Sequence, residues 1–344
     1  MANTLAEYEY LTNDPVKAGI AHTILVENPL LVDLPFKGIA SNTIKYKMET
    51  VAADARAYEV GEEWVEGSPT WEPRYADLAI LGGDADVDNF VKSTMGAQEN
   101  VESEIIALKA KAISNFFANL AIWGRTTATS TYNSAKNFKG LARLIAETEG
   151  TSITDLDGGL TGATDAANND RVLVRTSNAS AALTLDYVDE LLDMVKPNAT
   201  HLLSTRMFRR KLTALARASG TNLEHDKNKL GMPVTMYGDG IKVITSDAVL
   251  NNLDDPSTLV TALTTFDTTQ ARADTNNITL VFALRIAEDG FCGITSAQNG
   301  MIQTEDIGTL QNKDATRTRI KFYTGLALFN KLSAAVMTAC SMSD

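Results

Sequence analysis

Cysteine and histidine are scarce in this chain: 344 residues hold two cysteines, Cys292 and Cys340, and three histidines, His22, His201 and His225. Two isolated thiols cannot build a disulfide framework and suit a reducing compartment. No histidine has another His or Cys at ligand spacing. No C-x-x-C, H-E-x-x-H or G-x-x-x-x-G-K-S/T occurs, so the usual signatures of zinc and P-loop nucleotide sites are missing. A G-x-S-x-G nucleophile elbow is absent too. Gly238-Asp239-Gly240 lacks the third glycine of a dinucleotide fingerprint and reads as a turn before a strand at Ile241–Ile244. Basic charge is in deficit: 31 Lys+Arg face 43 Asp+Glu, a formal net charge of −12. General nucleic-acid affinity rests on an excess of basic residues over phosphates, so it is not expected here. Met1 to Pro15 has no basic segment followed by an apolar run, which argues against a secretory signal. Leu326–Cys340 is interrupted by Asn330 and Lys331, so no membrane span is expected. The reading is a soluble chain of intracellular type.

Hydrophobic residues make up 44% and charged residues 22%, enough for a sizeable core. The one cluster that invites a metal is Asp84-Ala85-Asp86-Val87-Asp88. A calcium loop starting at Asp84 would need glycine at its sixth position and glutamate at its twelfth; Asn89 and Met95 stand there. The expectation is that Gly82-Gly83 end a strand and that the aspartates cap the helix that follows. No catalytic, cofactor or metal residue is assigned, and no enzyme is expected. A carboxylate-based hydrolase stays as an alternative, because paired carboxylates need no motif.

Residues 1–40 read as an extended arm with one short helix starting near Pro15. From Ser41 to Leu81 apolar residues recur with period two, which predicts a long hairpin turning near Gly61 and Gly67-Ser68-Pro69. Glu49–Asp77 carries eight acids and two bases, Arg56 and Arg74, so its −6 is half the charge of the chain. A ribbon this poor in apolar groups needs support, either from its own domain or from a neighbouring subunit. Trp64 and Trp71 are the natural anchors for the second case, with Arg56, Glu62, Glu63 and Arg74 as accompanying charges. A helix from about Asn89 to Gly124 is predicted by Val101, Ile105, Leu108, Ala112, Phe116 and Leu120, widened by Ile106, Ile113 and Phe117. Thr148–Asp170 reads as a polar loop. Beyond it, Thr184 starts a helix, His201–Leu203 forms a buried strand, and Ser204 caps a helix with five bases and no acid: Arg206, Arg209, Arg210, Lys211 and Arg217. That basic face is either solvated or meets acids of a neighbour or a scaffold. Strands are expected at Val234–Tyr237, Ile241–Ile244, Thr279–Arg285, Phe291–Ile294, Arg317–Tyr323, Leu326–Phe329 and Ala334–Met337. Without a regular β-α-β rhythm, the class is α+β.

The order of features resembles the major capsid proteins of tailed bacteriophages with the Hong Kong 97-type fold. It comprises an arm, a charged hairpin, Leu81-Gly82-Gly83-Asp84 and a long helix closing on Trp123-Gly124. Phe138-Lys139-Gly140-Leu141, a helix pair around Leu202–Leu215 and the run Arg317–Leu328 complete it. The resemblance implies an extended loop at 41–81 and a peripheral domain from 82–181 and 301–324, with a spine helix at about 89–124. It implies an axial domain from 182–300 and 325–344. It further implies a structural subunit that assembles with itself into hexamers and pentamers of an icosahedral shell. That shell encloses double-stranded DNA without sequence-specific binding, in a virion assembled in the host bacterial cytoplasm. A portal is a partner so implied, with a separate scaffolding protein or none, and with or without decoration proteins; no membrane is. An encapsulin-like protein compartment is the alternative on the same fold. Some members weld subunits through a Lys–Asn bond; Lys45, Lys47 and Asn330 are available by type, but no catalytic acid is identifiable, so the bond is not expected.

Overall fold

The computed structural model describes residues 3–4, 15–51, 53–65, 67–95, 101–124, 136–148, 172–174, 183–220, 223–249, 278–297 and 301–341. The expected polar loop falls outside them except at Thr148. Strand β1 (Asn3–Thr4) precedes helices α1 (Pro15–Glu27) and α2 (Leu30–Asp33) and strand β2 (Pro35–Ile39). The helix expected near Pro15 is α1, and with α2 it makes 15–39 more helical than an arm with one short helix. Ile24, Leu25, Leu31 and Leu34 are fully buried there, and burying each is worth about 1.5–3 kcal/mol.

The hairpin is β3 (Thr43–Val51) and β4 (Thr70–Asp77), paired antiparallel with Tyr46 opposite Arg74. The chain then enters β5 (Ala79–Asp88). The expected strand end at Gly82-Gly83 is thus overturned: the strand runs on through Asp88, pairing with β14 (Ala315–Leu328) over ten positions. The reason lies at Gly82, where a Cβ would stand 2.5 Å from the Ile320 carbonyl oxygen. Glycine here permits a close backbone approach inside a strand.

The expected helix at 89–124 is described as two segments, α3 (Asn89–Met95) and α4 (Val101–Trp123), with 96–100 outside the described residues. The buried face of α4 is Ala110, Ile113, Ser114, Phe117, Leu120 and Ala121, whereas Leu108 is 59% exposed. The predicted stripe was therefore centred too far round, on the residues that flank the core. By length and composition α4 also matches a membrane span; in this fold its buried face packs on α1, with the Ser114 hydroxyl donating to the Ile24 carbonyl at 2.9 Å. Helix α4 ends where Gly124 and the segment before α5 (Leu141–Thr148) touch backbone to backbone: the Gly140 N–H donates to the Gly124 carbonyl at 2.8 Å.

The remaining elements are β6 (Val172–Val174), α6 (Leu185–Asp193), β7 (His201–Ser204), α7 (Arg206–Ala218), β8 (Glu224–Lys227), β9 (Pro233–Tyr237) and β10 (Ile241–Thr245). After them come β11 (Ile278–Leu284), β12 (Phe291–Ser296), β13 (Ile302–Thr309) and β15 (Ala334–Ser341). Thr184 caps α6 as expected, accepting from the Tyr187 N–H. The cap of α7 is Thr205, one residue beyond the expected Ser204, whose hydroxyl instead bonds the Leu280 carbonyl at 2.7 Å.

Among the described residues the strands form two large sheets and the separate hairpin. One sheet runs β1-β2-β12-β14-β13 with β5 on β14; the other runs β6-β15-β11-β7-β10-β9-β8. β12 falls in the span expected for the axial domain but pairs with β2 and β14. A main core containing Leu31, Phe117, Phe138, Ile145, Phe282, Ile320 and Phe322 draws on both sheets. A second core, with Val188, Leu191, Phe208, Leu212 and Val281, lies between the seven-stranded sheet and α6 and α7. A third and smaller one, with Ile39, Ala76, Cys292, Ile294 and Ala327, sits under the base of the hairpin against Ile44 and Tyr46.

Candidate assembly surface

The hairpin divides into a packed base and a bare tip. Met48 and Ala76 at the base are buried, while Trp71 and Tyr75 on the same ribbon are exposed. At the tip the Glu59 N–H donates to the Glu62 carboxylate at 2.8 Å, and the Glu62 N–H returns to the Glu59 carbonyl at 3.2 Å. The Tyr58 ring stacks on Trp64 with centroids 4.3 Å apart, and its hydroxyl donates to the Val65 carbonyl. These local bonds shape the tip without burying it. Trp64 is 80% exposed, and Val60 and Val65 stand open beside it. An exposed aromatic cluster of this kind, surrounded by acids, has the composition of an interface core with a polar rim.

The charges named from sequence separate into three groups. Arg56 pairs with Asp54 at 2.7 Å inside the ribbon. Glu62 and Glu63 lie at the exposed tip with Trp64. Arg74, at the base, pairs with Glu72 at 2.8 Å and donates to the Glu147 carbonyl at 2.7 Å, tying the ribbon to α5. Arg209 and Arg210 are exposed on α7, on the seven-stranded sheet, and among the described residues neither forms an ion pair. Their neighbour Arg206 meets Asp247 at 3.0 Å. The neighbouring helix α6 carries Asp186, Asp189, Glu190 and Asp193 and no base. The structure thus brings the hairpin residues onto one ribbon and leaves the two arginines on a separate face.

The aspartates of β5 have a role that sequence reading missed. The register sets Asp84 opposite Arg319 and Asp86 opposite Arg317. Both pairs are bidentate, at 2.6 and 3.0 Å for Asp84 and 2.6 and 2.7 Å for Asp86. The Arg319 hydrogen bonds hold the Asp84 carboxyl below its ordinary value, and those of Arg317 do the same for Asp86. Only Asp88 acts at the helix start, accepting from the Phe90 N–H at 2.8 Å. The expected capping role of the other two is corrected: they stitch β5 to β14.

A second unforeseen cluster joins α2 to the seven-stranded sheet. The His201 ring lies 3.3 Å from the Asp33 carboxylate and 2.8 Å from the Thr200 hydroxyl, and Lys242 reaches Asp33 at 3.1 Å. Burial pushes the Asp33 carboxyl up, but the hydrogen bonds and charges of His201 and Lys242 outweigh it and hold it below its ordinary value. Asp33 and His201 lie 168 residues apart in the chain, so no local motif could have announced the pair. Among the described residues no group of three His, Cys, Asp or Glu side chains is placed to hold a metal ion. At Cys292 burial pushes the thiol up to about 12, which leaves it a poor nucleophile. Asn330, available by type for a cross-link, accepts from the Leu332 N–H at 2.9 Å within a 3-10 turn.

No protein-family model matches this sequence, and no curated protein matches it. Solved structures do. The holo-SrpI encapsulin complex from Synechococcus elongatus matches with a TM-score of 0.56 at 13% identity, covering 92% of this chain and 88% of that one. The capsid of a native GTA particle matches at 0.57 with 8% identity over 92% and 90% of the two chains. The cyanophage A-1(L) capsid matches at 0.57 with 12% identity over 91% and 93%. At such identities the likeness speaks for the fold, and it extends over nine-tenths of the chain. This chain has the Hong Kong 97-type fold of phage capsid and encapsulin shells.

Proposed function

We propose that this chain is a shell subunit of the major capsid type, which assembles with itself into hexamers and pentamers of an icosahedral shell around double-stranded DNA. The observation that carries this reading is the match along nine-tenths of the chain to shell proteins from a phage, a GTA particle and an encapsulin. The exposed aromatic tip of the hairpin supports it, because Trp64 stays 80% exposed in the single subunit even with the Tyr58 ring stacked on it. In this reading 41–81 is the extended loop that lies on a neighbour, carrying Arg56, Glu62, Glu63, Trp64, Trp71 and Arg74. The part built on the six-stranded sheet is peripheral, and the seven-stranded sheet with α6 and α7 is axial; β12 then goes with the peripheral part, as its pairing suggests. Arg209 and Arg210 form a contact between axial parts or with a scaffold. The shell belongs to a virion assembled in the host cytoplasm, with portal, scaffold and decoration proteins as partners.

The encapsulin match favours a second reading, a protein compartment without DNA. Native particles treated with nuclease and then opened separate the two. Protected double-stranded DNA supports the capsid; a protein cargo without nucleic acid supports the compartment.

A further inference from the structure

The two helices on the seven-stranded sheet both carry charge of the wrong sign for their own dipoles. Helix α7 opens on Arg206, Arg209 and Arg210 with no acid in its first turn, although a helix N-terminus favours negative groups. Helix α6 closes on Glu190 and Asp193 with no base in its last turn, although a C-terminus favours positive ones. Arg206 meets Asp247 in an exposed pair, but the exposed Arg209 and Arg210 have no ion-pair partner among the described residues. Arg209 lines a small cavity with Asp33, whose carboxylate is already held by His201 and Lys242. At the acidic end, Asp189 accepts from the Tyr237 hydroxyl at 2.7 Å. Asp193 and Asp239 are exposed, and among the described residues neither side chain has a partner. Asp239 is held out at the tip of the β9–β10 turn, where Gly238 and Gly240 take φ angles of 54° and 85°. The three carboxylates line a cleft of about 960 Å³. Against them stands Lys196, since Lys242 and His201 in the same wall engage Asp33.

We propose that Arg209 and Arg210 of one copy of this chain dock on the Asp193 and Asp239 carboxylates of a second copy. The two patches lie at opposite ends of one sheet. β7 and β10 run parallel, with His201 beside Lys242 and Ser204 beside Thr245. The cleft takes in His201 and Lys242 at the start of both strands, whereas α7 begins just beyond their other end, where Arg206 meets Asp247. Four residues at about 3.3 Å each set those ends roughly 13 Å apart. A contact between unlike ends of identical chains is head-to-tail, and such contacts close into rings when the rotation permits. Charge complementarity selects a second copy as the occupant. Both faces are exposed, and pairing them brings each helix end the sign of charge that its dipole favours. This inference rests on the seven-stranded sheet being the axial part where subunits meet, and it adds which side chains meet there.

The test reverses each patch in the full chain: R209E/R210E, D193K/D239K and the quadruple variant R209E/R210E/D193K/D239K. Thermal melts of the free subunit come first. Both reversals should melt no lower than the parent, because each puts on a helix end the charge its dipole favours. Each reversal alone should raise the critical concentration for assembly about tenfold or more, since it sets like charges against each other. The quadruple variant carries both exchanged faces on every chain, so it should assemble within about threefold of the parent. Failure of that rescue, or normal assembly of either folded reversal, would overturn the proposal. Loss with R209E/R210E but not with D193K/D239K means that a scaffold or another acidic partner takes the arginines, and the contact between copies fails. If a reversal does not fold, the neutral variants R209Q/R210Q and D193N/D239N decide. Each should raise the critical concentration, and their combination no further than either alone; additive effects count against the contact. While the parent forms particles, any of these failures removes only this contact. A parent that forms none at any concentration overturns the functional reading along with it.

Discussion

At the scale of single residues, Gly140 and Asp33 test the packing most sharply. A Cβ on Gly140 would stand 2.5 Å from the Gly124 nitrogen and 2.6 Å from the Leu120 carbonyl oxygen, both backbone atoms that cannot rotate away. Gly140→Ala should lower stability by about 3 kcal/mol in urea denaturation, at the upper end of overpacking effects. Asp33 makes the prediction about pH. Its carboxyl is depressed in the folded state, so its stabilising contribution is present above the ordinary carboxylate value near 4 and is lost as pH falls through the lower folded value. Thermal melts between pH 7 and 3 should show the loss below about pH 4. Asp33→Asn should lower stability by about 2 kcal/mol at pH 7 and flatten that acid limb. An unchanged acid limb would remove Asp33 from the account. Asp84 and Asp86 are shifted in the same direction, but their pairs are about a third exposed and salt screens them.

At the scale of elements, the hairpin is where sequence and structure agree most closely. Alternation at Ile44, Tyr46 and Met48 and the acidic count marked a ribbon, and β3 and β4 form it. Its base is better anchored than the sequence implied, because Ala76 is buried in one cluster with Cys292, Ile294 and Ala327 from distant strands. At the tip, Val60, Trp64 and Val65 stay exposed. Replacing Gly61–Trp71 by a short Gly-Ser link should therefore leave cooperative unfolding within about 1 kcal/mol of the parent, since surface changes rarely cost more. The same variant should form no shells in light scattering; normal shells would show that the ribbon has another purpose, and an unfolded protein that its tip belongs to the core.

Other elements were less legible, for physical reasons. Gly82-Gly83 looks like punctuation because glycine weakens strands on average; here the close approach of β14 makes it necessary. The Asp84 and Asp86 pairs could not be foreseen, since their arginines lie more than 230 residues away in the chain. On α4 the apolar residues spread around much of the helix, so periodicity gave a stripe but not which edge of it the core would take. β13 escaped notice because Thr304, Glu305, Asp306 and Gly308 leave no alternation to read. Arg143 and Glu147 are an ordinary i,i+4 pair in the sequence; only the fold buries the pair and brings Arg74, 73 residues away, onto the Glu147 carbonyl.

At the scale of the whole molecule, the features point outward. The main core joins both sheets into one body, while the aromatic tip stands exposed and Arg209 and Arg210 of α7 have no ion-pair partner among the described residues. Those surfaces are small singly, and repetition around symmetric contacts is what would make them sufficient. Electron microscopy of the purified full chain, concentrated under assembly conditions, tests this most directly. Closed particles of uniform diameter with five-fold and six-fold clusters of subunits are the predicted result. A protein that stays monomeric at every concentration, with and without a co-expressed scaffold, would contradict the account.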